Sequence, residues 1–504
     1  MKRVRVFLIN GLILTITAFI MRFIGISFEV FISNKIGTEG MGVYQLVMSV
    51  YLFAITLASS GINLASTRIV SEDIACQNEQ GAKHAMKKCI LLSLIVGSLS
   101  CLILLLSSNI ISLTLLHNKV SALPLKIMAI SLPFISISAA INGYFSAVRR
   151  VIKTASSKIL EQVIKIGITV IFLSILLPNN VNFSCIALVI GICISEICSF
   201  IYVYILYIFD KKKYMKNKKN NTSISASDYN KRIINITLPI ALTSYIRSAL
   251  STLQQLLIPL RLQVSGLTYS SALSKYGLIC GMTLPILLFP SVIIISFSNL
   301  LIPEISYYYA KKNYAQIKNI TSRIFKSVFI FSICIFGIFL TFSNELSIII
   351  YSNSQVGHFL KVLSPLVLVM YLDTIVDSIL KGLDKQVSVM KCNIADLFVS
   401  IFCIYFFVPI LGINGYVLSI YVSEFFNFCV SIITLLKITH VKMNAYIWFI
   451  KPLIGILSAR FILRIFTLKT YTLIDLISHI SIFIAIYILI LILLGALKKK
   501  DFIF

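Results

Sequence analysis

DKKKYMKNKKNNTSISASDYNKR, residues Asp210–Arg232, is the longest polar run in the chain, with eight Lys or Arg against two Asp and no apolar periodicity. Such a composition buries too little apolar surface to fold alone and reads as a solvated linker. What precedes it returns after it. Laid without gaps, Tyr144–Ile166 (YFSAVRRVIKTASSKILEQVIKI) runs beside Ile379–Ile401 (ILKGLDKQVSVMKCNIADLFVSI), each an apolar end, a basic turn and a new apolar helix. Glu161 falls on Asp396, and further on Ser195-Glu196 with Phe200 matches Ser423-Glu424 with Phe428. Arg22 and Glu29 lie seven apart, as do Arg247 and Gln254; Tyr44 and Glu72 lie 28 apart, as do Tyr276 and Glu304. Matches in the same order on both sides argue for an internal duplication, the mark of many transporters.

The chain has 504 residues, 58% of them hydrophobic and only 12% charged, with a mean hydropathy of +0.95. Soluble domains carry roughly twice that charge, so this is an all-α polytopic membrane protein. The net charge of +27 does not point to nucleic acid, because the basic residues sit in short loops between apolar runs, where they act as a topology signal. The 11 Cys are scattered without a CxxC or Cys/His cluster, so neither disulfides nor a metal site is implied. No GxxxxGK[ST] occurs, so the chain brings no P-loop of its own. MKRVR leads into an apolar stretch too long for a signal peptide, read as an uncleaved first span.

Spans are expected at about 6–32, 42–66, 89–112, 122–147, 157–178, 183–209, 233–258, 276–303, 324–344, 359–381, 392–409, 414–437, 446–466 and 475–496. These make about fourteen transmembrane helices. The domains that follow are an N-terminal six-helix lobe, 1–209; a cytoplasmic basic linker, 210–232; a C-terminal six-helix lobe, 233–437; and two extra helices, 438–504. With the N-terminus inside, inner loops and their flanks carry 32 Lys or Arg and outer ones 7. Both termini are therefore expected in the cytoplasm, in the cell membrane. An even number of spans per half makes the halves parallel repeats. The first outer turn, Gly37–Gln45, packs three Gly into six residues, as a tight re-entry needs. The outer loops are all short, leaving no room for an extracellular catalytic domain.

Charges inside spans need a partner or a wet cavity, since on the lipid side each costs about 3 kcal/mol or more. Arg22 and Arg247 stand at matching places in the leading helix of each half. They read either as structural, with Arg22 bridging to Glu29, or as guanidiniums for a phosphate or carboxylate in a central cavity. Glu161 and Lys165, four apart, read as a local ion pair. Asp373 and Asp377 either snorkel or meet Lys381. Glu196 and Glu424, mid-span and repeat-related, are either packing glue or a proton or ion site. Arg460 and Arg464 fit a lipid head-group or tail groove.

Gly11-Leu-Ile-Leu-Thr-Ile, Ile36-Gly-Thr-Glu-Gly-Met-Gly-Val-Tyr-Gln-Leu46, Ser60-Gly-Ile-Asn-Leu-Ala with Arg68-Ile-Val-Ser-Glu72, Gly281-Met-Thr-Leu-Pro285 with Pro290, and Lys381-Gly-Leu-Asp-Lys-Gln386 together resemble the stage V sporulation protein B family. That family belongs with the polysaccharide and lipid II flippases of the multidrug/oligosaccharidyl-lipid/polysaccharide exporter superfamily. The resemblance implies two six-helix lobes in a V, a cationic cavity and alternating access. It also implies export of an undecaprenyl-linked sugar or peptidoglycan precursor for spore cortex or cell-wall polysaccharide, with the last two helices holding the lipid tail. Arg22 matches the family's first-helix Arg and Arg68 its counterpart loosely, so the substrate set expected in the cavity is Arg22, Arg247, Glu29 and Arg68. Tyr276–Pro303 lacks the Arg that lipid II flippases carry in span eight. Asp396 joins Glu196 and Glu424 as candidates for coupling.

The expected partners are membrane lipid and an anionic polyprenyl-linked glycan. No cofactor is expected beyond coupling to a sodium or proton gradient or to the membrane potential. An ion-coupled multidrug antiporter of the same superfamily is the alternative, but it usually has twelve spans and an acidic cavity. A membrane-embedded glycan polymerase or ligase needs catalytic groups at the outer face that these loops do not supply, so the chain is read as no enzyme.

Overall fold

Among the described residues of the computed structural model, seventeen α-helices and two π-helical segments follow one another. It describes residues 2–76, 78–114, 122–176, 181–214, 226–441, 444, 446–465 and 472–497, with side chains at most positions from Thr17 on. The helices are α1 (Lys2–Ser59), α2 (Ile62–Ala75), α3 (Glu79–Thr114), α4 (Leu123–Ala147), α5 (Val151–Leu176), α6 (Val181–Tyr214), α7 (Ala226–Val264), α8 (Tyr269–Tyr276), α9 (Leu284–Leu288), α10 (Ser291–Ala310), α11 (Tyr314–Tyr351), α12 (Ser354–Leu363), α13 (Leu366–Gly382), α14 (Gln386–Leu411), α15 (Ile413–Thr439), α16 (Lys451–Ile465) and α17 (Leu473–Leu493). No strand occurs among the described residues. Large side chains such as Leu106, Ile410 and Ile474 are 78% exposed, as lipid contact allows and water does not.

Among the described residues twelve helices are long and apolar enough to cross a membrane, or up to thirteen counting the bent pair α12 and α13, against the fourteen expected. The first two expected spans are the arms of α1, which breaks at Gly37 (φ 70°, ψ −176°), a conformation open essentially to glycine alone. α5 is not among them; Lys153, Lys158, Glu161 and Lys165 lower its apolar character. The eighth expected span, 276–303, falls on two candidate spans, Tyr269–Leu288 and Ser291–Ala310, which part at Pro290. α12 and α13 meet at 57°, with Pro365 capping α13.

Both π-helical segments, Gly277–Thr283 and Tyr446–Ile450, end two residues before a proline, Pro285 and Pro452. A proline ring collides with the carbonyl four residues back, here Gly281 and Trp448, and a widened turn relieves the clash.

The chain forms two compact units: Met1–Met21 with Glu39–Leu256, and Arg22–Thr38 with Leu257–Phe504. Contacts therefore cross the polar run, because the middle of α1 packs in unit two and most of α7 in unit one. In unit two, Asn34 Nδ2 donates to the Ile350 carbonyl at 2.8 Å. In unit one, Tyr245 donates to the Leu57 carbonyl (3.1 Å), Ser248 to Thr56 Oγ1 (3.1 Å) and Thr252 to the Ser49 carbonyl (3.0 Å). Those three donors are spaced three and four apart on α7 and so share one helix face.

Of the polar stretch 210–232, Asp210–Tyr214 ends α6 and Ala226–Arg232 begins α7, while 215–225 lie outside the described residues. Asp210 is buried at the junction of α4, α5 and α6. Its carboxylate accepts from the Tyr144 hydroxyl at 2.9 Å and from Arg150 and Lys153. Three donors on one carboxylate let it be buried. The turn they close holds Arg149 at φ 59°, and Asp384, which the gapless comparison sets beside Arg149, also has φ 59°.

Apolar layers complete each unit. Val70, Met86, Ile141, Tyr144, Phe145, Val203 and Tyr207 pack α2, α3, α4 and α6 together in unit one. In unit two, α16 and α17 close on α11 through Ile333, Phe342, Ile456, Ala459, Phe483 and Tyr487. The Tyr487 hydroxyl donates to the Ile330 carbonyl at 3.0 Å. Thr472 and Asp475 form a reciprocal cap at the start of α17.

Candidate functional site

Unit two gathers four carboxylates from three adjacent helices, α13, α14 and α15. Asp373 and Asp377 stand one turn apart on α13, and Asp377 Oδ2 lies 3.8 Å from Lys381 Nζ. Asn427 Nδ2, on α15, donates to Asp373 Oδ2 at 3.0 Å and to Asn393 Oδ1 on α14 at 3.3 Å. Asn393 Nδ2 in turn reaches Asp377 Oδ2 at 3.5 Å. Ser423 donates to Asp396 Oδ1. Glu424 lies within electrostatic reach of Asp396 and Asp373. Cys392 adds a thiol donor to Asn427 Oδ1 at 3.0 Å. Asp373 Oδ1 is buried with no hydrogen-bond partner among the described residues.

Asp396 and Glu424 thus fall in one cluster of unit two, and Asp373 does not snorkel: it turns to α15. Asp377 does meet Lys381. Asn393 and Asn427 were missed by sequence reasoning. The available signal was spacing, since Asn393 lies three before Asp396 and Asn427 three after Glu424, on the same helix faces. Four carboxylates around one lysine repel each other in a poorly solvated setting, and a bound cation or proton relieves that repulsion. No three of the described His, Cys, Asp or Glu converge closely enough to hold a metal ion.

Glu196 belongs to a different cluster, in unit one. Glu161 Oε2 pairs with Lys158 Nζ at 2.7 Å, three residues back rather than four ahead as expected, and accepts from Ser199 Oγ at 3.3 Å. Glu196 lies within electrostatic reach of Glu161, Lys158 and Lys165. Tyr51, buried and hydrogen-bonded to Ser131 at 2.6 Å, lies within electrostatic reach of Glu196 and Glu161.

Arg22 is exposed in unit two and Arg247 is exposed in unit one. Neither makes an ion pair among the described residues, so the Arg22–Glu29 bridge does not form. Glu29 is half-buried and lies near Tyr351. Arg68 is committed elsewhere: its Nε bonds Glu72 at 2.9 Å, and Glu72 also takes Arg232 at 2.6 Å. Beside them buried Asp73 accepts from the Tyr229 hydroxyl at 3.2 Å, so this cluster ties the start of α7 to the end of α2. Arg460 is half-buried on α16, and the Arg464 side chain lies outside the described residues.

A family of polysaccharide biosynthesis proteins matches residues 7–262, just over half the chain. Stage V sporulation protein B of Bacillus subtilis (strain 168) is 24% identical over 305 residues, 60% of this chain. The match spans 58% of that relative's length. Among solved structures, the inward closed conformation of the lipid II flippase MurJ superposes with a TM-score of 0.71 at 14% identity, over 95% of this chain and 98% of that one. An inward-facing multidrug resistance MATE family transporter of the MOP superfamily reaches 0.64 at 13% identity, over 83% and 93%. The fold is the one seen in these solved flippase and transporter structures, and the chain belongs to the polysaccharide biosynthesis protein family.

Proposed function

We propose that the chain flips an undecaprenyl-linked sugar or peptidoglycan precursor across the cytoplasmic membrane by alternating access, for spore cortex or cell-wall polysaccharide synthesis. The observation that carries this reading is the reach of the flippase likeness: it extends over 95% of the chain, against 83% for the multidrug transporter. Arg22 in unit two, exposed and without an ion pair among the described residues, supplies a guanidinium for a phosphate of such a substrate, and Arg247 in unit one is, taken by itself, a second candidate. Arg460 and Arg464 on α16 serve the lipid end. The Asp373, Asp377, Asp396 and Glu424 cluster takes up the coupling cation, a proton or a sodium ion. Both termini and the 210–232 stretch lie on the cytoplasmic side.

The test is translocation of a fluorescent polyprenyl-diphosphate-linked sugar in proteoliposomes, with and without a proton gradient. Arg22→Ala should insert normally and slow translocation roughly ten- to a hundredfold, the loss of one charge-assisted contact of about 1.5–3 kcal/mol. Arg22→Lys should keep part of the rate. Full activity in Arg22→Ala, or rescue by Glu29→Gln, would remove Arg22 from the substrate path. Drug efflux without glycan transport would replace the flippase reading by the antiporter one.

A further inference from the structure

α7 ends on a cation that no carboxylate answers. Arg261 stands in its last turn, half-buried, and forms no ion pair among the described residues. Its guanidinium carbon lies 3.5 Å from the centre of the Tyr405 ring on α14, and both residues belong to unit two. At that distance only flat stacking fits, because a guanidinium standing on edge would drive a nitrogen into the ring. Stacking engages the face of the group and leaves its N–H donors pointing outward in the plane. None of them bonds a described residue. The carbonyl end of α7 favours a cation in its last turn, but that partial charge does not satisfy these donors.

The surroundings of the stack are lipid rather than water. Tyr405 is 46% exposed, and Phe402 and Phe406 beside it are exposed as well. The Phe406 ring lies 5.2 Å from that of Tyr405 and 4.6 Å from that of Phe402, so the three form one aromatic ridge. Beyond Tyr405 toward the end of α14, Ile410 and Leu411 are exposed, and beyond Arg261 toward the end of α7 so is Val264. Water does not cover such a surface, so the membrane reaches past the stack to these side chains. Tyr405 lies about 9 Å of helix rise short of Leu411. That is the depth at which aromatic belts meet lipid head groups. An unanswered guanidinium is costly there, and the anion present at that depth is a lipid phosphate.

We propose that Arg261, braced on Tyr405, binds the phosphate of a membrane phospholipid in the leaflet that α7 reaches with its C-terminal end. Tyr405 is the positioning residue: its ring holds the guanidinium flat so that the donors face the head group. Phe406 and Phe402 continue the ridge along the acyl chain. A phosphate without an ammonium group on the same head group fits best, so phosphatidylglycerol binds in preference to phosphatidylcholine. The site does not depend on what the protein transports.

Trp448 is the one tryptophan of the chain, so Trp448→Phe with Tyr405→Trp moves the sole indole to the site and keeps an aromatic face under the cation. The full chain is reconstituted in phosphatidylcholine vesicles holding a small fraction of brominated phosphatidylglycerol or of a brominated neutral glucosyl-diacylglycerol. Quenching of the indole gives the relative binding constant of each, and phosphatidylglycerol should bind more tightly. The net charge of +27 draws anionic lipid to the whole protein, so the deciding comparison is Arg261→Gln in the same background. It should lower the preference about fivefold, the effect of one cation near a membrane surface, and leave the thermal midpoint unchanged. Arg261→Lys should keep part of the preference. A preference that Arg261→Gln does not alter overturns the proposal. So does its loss to inorganic phosphate at matched ionic strength, which would make the ligand a dissolved anion. Displacement by a trace of polyprenyl diphosphate would assign the site to a glycan carrier and overturn it too. If the double variant is not recovered, native mass spectrometry of wild type and Arg261→Gln compares the phosphatidylglycerol each retains, and equal retention overturns the proposal.

Discussion

Replacing Asp210 by alanine should be among the most destabilising single changes in unit one. Its side chain is 1% exposed, while those of Arg150 and Lys153 are 26% and 28% exposed. Alanine leaves two like charges side by side with their counter-ion gone. It also strips the acceptor from the Tyr144 hydroxyl, on a residue that is 1% exposed. Removing one partner of a buried ion cluster costs about 3–5 kcal/mol. Water can reach a quarter of each cation, which favours the lower end, while the orphaned hydroxyl adds about 1–3 kcal/mol. A net loss of about 3–5 kcal/mol is expected, little changed by salt because the carboxylate is buried. Unfolding in mixed SDS–detergent micelles, followed by far-ultraviolet circular dichroism, measures it. The control removes the whole cluster: Asp210→Leu, Arg150→Met, Lys153→Met and Tyr144→Phe together should return to within about 1–2 kcal/mol of wild type. A loss below about 1 kcal/mol in Asp210→Ala, or no recovery in the fourfold variant, would refute the argument that the junction of α4, α5 and α6 depends on this carboxylate.

Gly37→Ala should cost about 1–3 kcal/mol through backbone strain alone, since a Cβ there meets nothing within 4 Å; a change within experimental error would mean the chain turns by another route. Cysteines introduced at Asn220 and Lys500 should react with membrane-impermeant reagent only in inverted vesicles, and labelling of either in intact cells would overturn the cytoplasmic orientation. Exchanging three lysines of 215–225 for Gln should leave transport intact and weaken only attraction to anionic lipid, by about 1 kcal/mol per charge; loss of transport with normal insertion would show that the stretch acts in the cycle.

The amino-acid sequence by itself determined the class of the molecule. Apolar runs of membrane length can only be helices in lipid, and glycine at 37 marks the turn because other residues resist its backbone angles. The pairing of Glu161 with Asp396 and of Glu196 with Glu424 picked out helices that carry buried charge, since each intramembrane carboxylate needs a reason to be there. Which partner each charge takes was left open. A residue on a helix has neighbours at both three and four positions, so Glu161 could meet Lys158 or Lys165; in the fold it bonds Lys158 while accepting from Ser199 of α6. The polar run looked uniform, yet Asp210 at its edge is buried, because three donors distant in sequence converge on it. Asp373 had a nearby lysine on its own helix but turns to Asn427 of α15, a contact that exists only once α13, α14 and α15 stand side by side. Composition and periodicity act along one chain segment, whereas the choice of partner depends on which segments meet, and that is decided by the tertiary fold.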